Sequence, residues 1–467
     1  MIPRTRAFRI FRRSSASVAT IPTLTAVMMV SLFVLAGGLR AQANGRIGLL
    51  GHLDIPSSAY NTDVWGWVDP ETLKEYALVG NNATGLHIVD CSNPKNPIIV
   101  STIDTVPSFD IKTWEHYAFT VDGNYGFAGA DGKIIDISDP EHPVVVGTIP
   151  PGHNLFVDAD GYLYVTFPGL KMFSLRPDPT NPKLVWEKVS TQGHDVTVVG
   201  DRLYDFHGYD GTFIYDIFNH RHPVLIGAIP YGGITFHHSG WTSSDEKFLF
   251  VNDEMAEHPS PDIAVFDISR PALPIKVAAI ADSSATAHNS YRIGNFLHVS
   301  YYTAGYRVYD ITDPTNPVMA DEFDTTPLVG EGIFKGAWGC YPFSPSGCIF
   351  INDRPDGFFV FSFGADVTAA EPGAASVFDL EQNFPNPFNP ETTIPYYLAR
   401  ESRVELSIYD TAGRRIRRLV DTDRGVGPHR AVWDSRNDHG HRVASGVYFY
   451  RLEIDGFVRS HKMVLLR

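Results

Sequence analysis

The stretch Lys133-Ile134-Ile135-Asp136-Ile137-Ser138-Asp139-Pro140-Glu141-His142-Pro143-Val144-Val145-Val146-Gly147-Thr148-Ile149 decides the fold of this chain. It is a short β-rich run ending in Asp, a turn carrying two prolines, and a second β-rich run. An Asp side chain can bond the backbone ahead of it, and prolines fix φ while withholding donors from further pairing. The pattern recurs at Gly85-Leu86-His87-Ile88-Val89-Asp90, Phe213-Ile214-Tyr215-Asp216, Ala264-Val265-Phe266-Asp267 and Arg307-Val308-Tyr309-Asp310. With the second proline of each turn as marker, Pro97, Pro143, Pro182, Pro223, Pro274 and Pro317 stand 46, 39, 41, 51 and 43 residues apart. A period of about forty to fifty residues made of four short strands predicts propeller blades, because one such sheet must stack on neighbours to bury both faces.

In the fourth blade the predicted strands are 195–199, 203–206, 213–217 and 224–229. After Pro317 come three further runs, Ala337 to Phe343, Cys348 to Asn352 and Phe358 to Phe363, with no fourth. The missing outer strand is available at Arg46 to Leu53, which resembles Pro143 to Ile149. Pairing the two closes the ring at seven blades and removes its free edges.

Arg4, Arg6, Arg9, Arg12 and Arg13 precede an apolar stretch from Ile21 to Leu39 that ends in Ala41-Gln42-Ala43. Residues 1–43 read as a Sec-type signal peptide, and Ser14 to Ser17 after the arginine pair weigh against a twin-arginine signal. No other stretch is long and apolar enough for a membrane span, so none is expected in the mature protein. Removing the leader takes six arginines and no acids, shifting the formal charge from −15 to −21. Such a field repels a phosphate backbone and excludes nucleic acid as a partner, while cations and neutral glycans stay open. Three cysteines, Cys91, Cys340 and Cys348, make no disulfide framework, and a tight hairpin puts the pair Cys340 and Cys348 out of register.

Small residues from 365 to 376 read as a linker. From Ser376 onward fourteen Lys or Arg face twelve Asp or Glu, so the propeller carries the whole negative balance. Alternation at Val404, Leu406 and Ile408, and at Tyr448, Tyr450, Leu452 and Ile454, predicts half-buried antiparallel strands. A seven-stranded Ig-like sandwich over 377–467 fits. The chain is thus expected to be all-β, a seven-bladed propeller over 44–364 followed by a small sandwich.

Two resemblances add to this. Asp63-Val64-Trp65-Gly66-Trp67-Val68-Asp69-Pro70, Phe236-His237-His238-Ser239-Gly240-Trp241, Val251-Asn252-Asp253-Glu254 and Gly336-Ala337-Trp338-Gly339 resemble the LVIVD-repeat propellers and, more closely, the choice-of-anchor B proteins. That resemblance implies a surface protein without an established chemistry. Asn383-Phe384-Pro385-Asn386-Pro387-Phe388-Asn389-Pro390, Val432-Trp433-Asp434, Ala444 to Tyr450 and the end Lys462-Met463-Val464-Leu465-Leu466 resemble the type IX secretion sorting domain. It implies Sec export to the periplasm, passage through the type IX machinery, and attachment to surface lipopolysaccharide or release.

Propeller ligands are expected at the mouth of the central channel. His153, His194 and His288 each lie 29 residues before the marker proline of their blade. His238 lies 36 before Pro274, in a blade with an insertion of about seven residues around Glu254-Met255-Ala256-Glu257-His258-Pro259-Ser260. Removing the insertion brings all four into register at the entry of the strand nearest the channel. By the same count the second blade offers Glu115 or His116, and the first and last offer Trp65 and Trp338. Asp253, Glu254, Glu257, His258, His207 and Asp210 fall on loops of the same face. Neutral imidazoles beside carboxylates suit a divalent metal such as zinc, manganese, iron, nickel or calcium. The same histidines can instead satisfy backbone groups around the channel. Trp65, Trp67, Trp114, Trp241 and Trp338, with His116, offer flat faces for a glycan or protein ligand, or wedges between blades. No nucleophile elbow or phosphate loop occurs. The leading expectation is a non-enzymatic surface binding protein. The alternative is a metal-dependent hydrolase or lyase with the four histidines as ligands and Asp253 or Glu254 as general base.

Overall fold

The computed structural model describes residues 45–364 and 378–466, apart from 56–59, 70, 73, 107, 124–129, 159, 231–232, 244, 256–261, 283–284, 327–333, 345, 381, 399–401, 412–413, 425–426 and 455–456. The expected leader and linker lie outside the described residues, as do Glu257 and His258. Among the described residues every element is a strand, and no helix is long and apolar enough to cross a membrane.

Strands from 47 to 363 form four-stranded antiparallel sheets, the propeller-like blades, spanning 61–103, 110–149, 155–188, 195–229, 237–280 and 290–323 in chain order. A further sheet joins Ala337–Tyr341, Ile349–Asp353 and Gly357–Phe363 to the N-terminal strand Ile47–Leu53. The terminal pairing runs from Ile47 opposite Phe363 to Leu53 opposite Phe358, as the sequence expectation requires. First strands of successive sheets touch, and Ala337–Tyr341 touches Asn61–Val68, so the strands circle one axis.

The turns obey the predicted chemistry. Asp90, Asp136, Asp216, Asp267 and Asp310 each accept a bond from the amide two residues ahead, at 2.8–3.0 Å. Three outer strands pack through a glycine: a Cβ on Gly227 would stand 1.8 Å from the Pro271 carbonyl oxygen of the next blade's turn, one on Gly51 2.2 Å from that of Pro94, and one on Gly147 2.7 Å from that of Thr180. Only glycine lets those backbones approach so closely. Cys91, Cys340 and Cys348 are buried free thiols, and Cys340 faces Ile351 across its hairpin rather than Cys348.

The C-terminal sandwich packs Phe378–Leu380, Thr392–Leu398 and Gly427–Trp433 as one sheet. The other runs Arg415–Arg424, Ser402–Asp410, Gly446–Ile454, Phe457–Leu465. The alternating residues Val404, Leu406, Ile408, Tyr450, Leu452 and Ile454 are all inside. In the last strand Met463 and Leu465 are buried, Val464 is half-buried, and Lys462 and Leu466 face out. The Asn/Pro-rich segment clasps that strand: Phe388 bonds Val464 and Leu466 through its backbone at 3.0 Å each, and Asn386 Oδ1 accepts from the Val464 amide at 2.8 Å.

Candidate metal centre

Three of the four histidines are set by the same local clamp. His153, His194 and His288 stand just ahead of their first strands and donate their amides to Thr166, Phe206 and Ser300 at the end of the second strand, at 2.9–3.0 Å. The carbonyl of His194 accepts from the Thr166 hydroxyl of the preceding blade at 2.6 Å, and that of His288 from Ser239 Oγ and Asn252 Nδ2 at 2.9 Å. His238 reaches the equivalent place through a bulge between His237 and Gly240.

The rings form a circuit around the channel. Centroid separations are 4.5 Å from His153 to His194, 4.3 Å to His238, 4.5 Å to His288 and 4.5 Å on to Trp338. Phe109 closes it, 4.8 Å from Trp338 and 5.1 Å from His153. Within it, Nδ1 of His153, His194 and His288 faces the carbonyls of Gly123, His238 and Trp338 at 2.9, 3.3 and 2.8 Å, and Nδ1 of His238 faces Ser239 Oγ at 2.9 Å. A carbonyl partner requires a proton on Nδ1, which leaves the lone pair on Nε2. Those Nε2 atoms converge on Glu254: Oε2 lies 3.5 Å from His238 and 4.0 Å from His194, and Oε1 3.9 Å from His288. The ligand atoms of His194, His238 and Glu254 all lie within 4.8 Å of one another. Tyr302 donates its hydroxyl to Glu254 Oε1 at 2.5 Å.

Burial governs the protonation states. It pushes the His153 imidazole down to about 4 and that of His238 to about 3, and holds His194 and His288 well below the usual range. The rings are therefore neutral at physiological pH, the form a metal takes. Burial raises the Glu254 carboxyl, while the Tyr302 hydrogen bond works the other way. The space bounded by the four histidines, Phe109, Trp338, Asp63 and Asp110 amounts to about 10 Å³, room for one water-sized body. A sugar ring or peptide does not fit inside it.

Thus His153, His194, His238, His288, Glu254 and Trp338 come together as expected, and five other residues do not. His116 lies in the turn between Asp110–Trp114 and Tyr117–Val121, at the far end of the strand from the histidines. Phe109 holds the histidine position in that blade. The count failed because the connection from the second to the third strand, 122–131, is five residues longer than 207–211 in the blade of His194. Trp65 and Trp241 sit farther along their strands, Trp241 three residues past His238 and so on the order of 10 Å away. They pack with Tyr291 and Phe343 inside the channel rather than at this mouth. Asp253 turns its carboxylate to the amides of Thr235, Phe236 and Met255, so it is not placed as a base. His207 is bound locally by Asp205 and Ser190. Sequence reasoning missed Tyr302 and Arg354. Both stand two residues past a buried polar residue near the end of a second strand, in the sequences Ser300-Tyr301-Tyr302 and Asn352-Asp353-Arg354, as Glu254 does in Asn252-Asp253-Glu254. That repeated position was the available signal.

Comparison with known proteins supports the two-part architecture. Residues 73–105, 108–149 and 293–325 match the LVIVD repeat, and residues 390–455 match the FlgD Ig-like domain. No curated protein matches the chain by sequence. Among solved structures, PorZ, a surface component of the type IX secretion system of Porphyromonas gingivalis, is similar at 14% identity and a TM-score of 0.39. That match covers 85% of this chain and 64% of PorZ. The periplasmic gluconolactonase PpgL of Pseudomonas aeruginosa is similar at 13% identity over 80% of this chain and 99% of its own, with a TM-score of 0.48. A putative 6-phosphogluconolactonase of Bacteroides uniformis gives 14% over 60% and 88%, also at 0.48. At those identities and scores the likenesses say nothing about the histidine site. The chain carries LVIVD repeats in its propeller-like part and an FlgD Ig-like domain near its C-terminus.

Proposed function

We propose that this chain is an exported surface binding protein, a ring of seven blades over 44–364 whose channel mouth holds a divalent transition metal. The ligands are Nε2 of His194 and His238 with the Glu254 carboxylate, which leaves a fourth position open, and His288 and His153 stand beside them. One observation carries this reading: several imidazoles whose Nδ1 atoms are tied to the protein turn Nε2 toward a single buried carboxylate. Ligands at 2.0–2.2 Å from a tetrahedral zinc are about 3.3–3.6 Å apart. The separations of 3.5–4.0 Å to Glu254 are close to such polyhedron edges and too long for strong hydrogen bonds. The tied Nδ1 atoms supply the outer support that orients metal-bound histidines. A cation would also offset the buried carboxylate.

Elemental analysis of the purified protein tests it, beside a His194→Ala/His288→Ala double variant. Stoichiometric metal in the parent and its loss in the variant are expected. A parent that takes up no zinc, manganese or iron on soaking sinks the site.

Residues 1–43 direct Sec export in this reading, and residues 377–467 act as a type IX sorting domain delivering the propeller to the cell surface, anchored or released. The support is the leader pattern and the motif ending at Lys462-Met463-Val464-Leu465-Leu466. Deleting 462–466 should retain the protein in the periplasm of a type IX-competent host. Unchanged surface delivery would refute it.

A further inference from the structure

The geometry points to Arg354 as the anion-recognising partner of the metal, so that the mouth takes a small carboxylate-bearing ligand with one oxygen on the metal and the other on the guanidinium. This rests on the metal reading above. Arg354 occupies in its blade the place that Glu254 and Tyr302 hold in theirs, and both of those face the imidazoles. Its backbone is pinned on both sides, the amide donating to Gly336 at 2.9 Å and the carbonyl accepting from Asn61 at 3.0 Å. Its guanidinium lies over the Tyr60 ring at 3.9 Å and 5.7 Å from the centroid of Trp338, whose ring stacks on His288 at 4.5 Å. The half-buried group makes no ion pair or side-chain hydrogen bond among the described residues. An arginine held over an aromatic ring with its donors uncommitted is prepared to receive a planar anion.

Charge leads to the same class. Neutral imidazoles, one carboxylate and a divalent ion sum to +1, Asp63 and Asp110 beneath them share the Lys112 ammonium, and Arg354 adds another charge whose field reaches Glu254, His288 and Tyr302. A strongly acidic protein would then present a positive mouth, favouring an anion over a cation or neutral sugar. The guanidinium fork matches the two oxygens of a carboxylate. The space beneath the rings holds one water-sized body, so the organic part of the ligand has no room there.

The test uses purified full chain loaded with Co(II), whose visible spectrum reports a new ligand on the metal. Acetate is titrated, with inorganic phosphate as a second anion and acetamide as the neutral control. Saturable change with acetate and none with acetamide is expected. Arg354→Ala should weaken acetate tenfold or more while cobalt content and melting temperature hold. Should that variant lose cobalt, Arg354→Met, which keeps the stem over Tyr60, decides in its place. Cobalt retained with acetate binding unchanged in the variant overturns this inference alone, as does Arg354-dependent binding of phosphate without acetate. Failure of the parent to take up cobalt overturns both this and the metal site.

Discussion

Trp433 in the sandwich and His194 at the channel mouth are equally dry, at 0% and 1% exposed, yet their burial has opposite energetic signs. Trp433 packs against Phe388 and Tyr448 in a cluster that also holds Ile394, Leu406, Met463 and Leu465, and its Nε1 donates to the Arg436 carbonyl at 2.9 Å. Removing such surface from water stabilises by roughly 25 cal/mol per Å², so the sandwich core holds itself together. At the mouth, imidazoles, a carboxylate and a phenol are brought to one point, and desolvation opposes their charged forms. That arrangement persists because the backbones of His194 and His288 are bonded on both sides, and that of His153 through its amide, to strands whose own burial lies elsewhere. The difference teaches where chemistry can be built: a repeated clamp on rigid strands tolerates side chains that a self-supporting core would reject.

The largest effect separating the two regions should come from Trp433→Ala. It should cost about 3–5 kcal/mol of sandwich stability, seen in urea titration, while metal content stays at the parent level. Metal lost in proportion would mean that the regions are not independent. The converse perturbation is next in size. Zinc at a hundred times its dissociation constant should add about 2.7 kcal/mol to the unfolding of the propeller and leave the sandwich transition in place, with the shift gone in His194→Ala/His288→Ala. Calorimetry that shows both transitions rising together would indicate nonspecific binding.

Much of this was legible in the sequence because repeats expose their own register. The proline-bearing turns located six outer strands, resemblance to Pro143–Ile149 located the seventh, and the fixed offset of His153, His194 and His288 placed three rings of the circuit. The method failed where connections change length: the long loop after Val121 displaced the count from Phe109 to His116. It failed again for Trp65 and Trp241, since residues of one strand share a face at every second position and depth along the channel is not written in composition. Which imidazole nitrogen turns inward depends on a carbonyl from another blade, as with His288 and Trp338 fifty residues apart, and no local pattern encodes that. The sandwich was easier, because alternation at Val404, Leu406 and Ile408 states its buried face directly.

The smallest effect asks whether a buried imidazole costs the propeller anything away from the mouth. His298 lies inside a blade, stacked on Tyr306 with Nδ1 2.6 Å from its hydroxyl, and burial lowers its pKa to about 3. The unfolded chain titrates near 6.5, so from there downward the unfolded state gains a proton that the folded state refuses. Stability is complete above about 6.5 and falls until pH reaches the folded value. Between pH 7 and 5.5 this amounts to about 1 kcal/mol. His298→Phe has no proton to gain, so its stability relative to the parent should rise by that amount on acidification. Comparing urea midpoints at the two pH values removes the contributions of Asp195 and Asp353, whose carboxyls burial raises to about 7 and which act with the opposite sign in both proteins. A parent and variant that respond identically to pH would mean that the His298 site admits the charged ring, and the contrast with the apolar sandwich would then be confined to the metal centre.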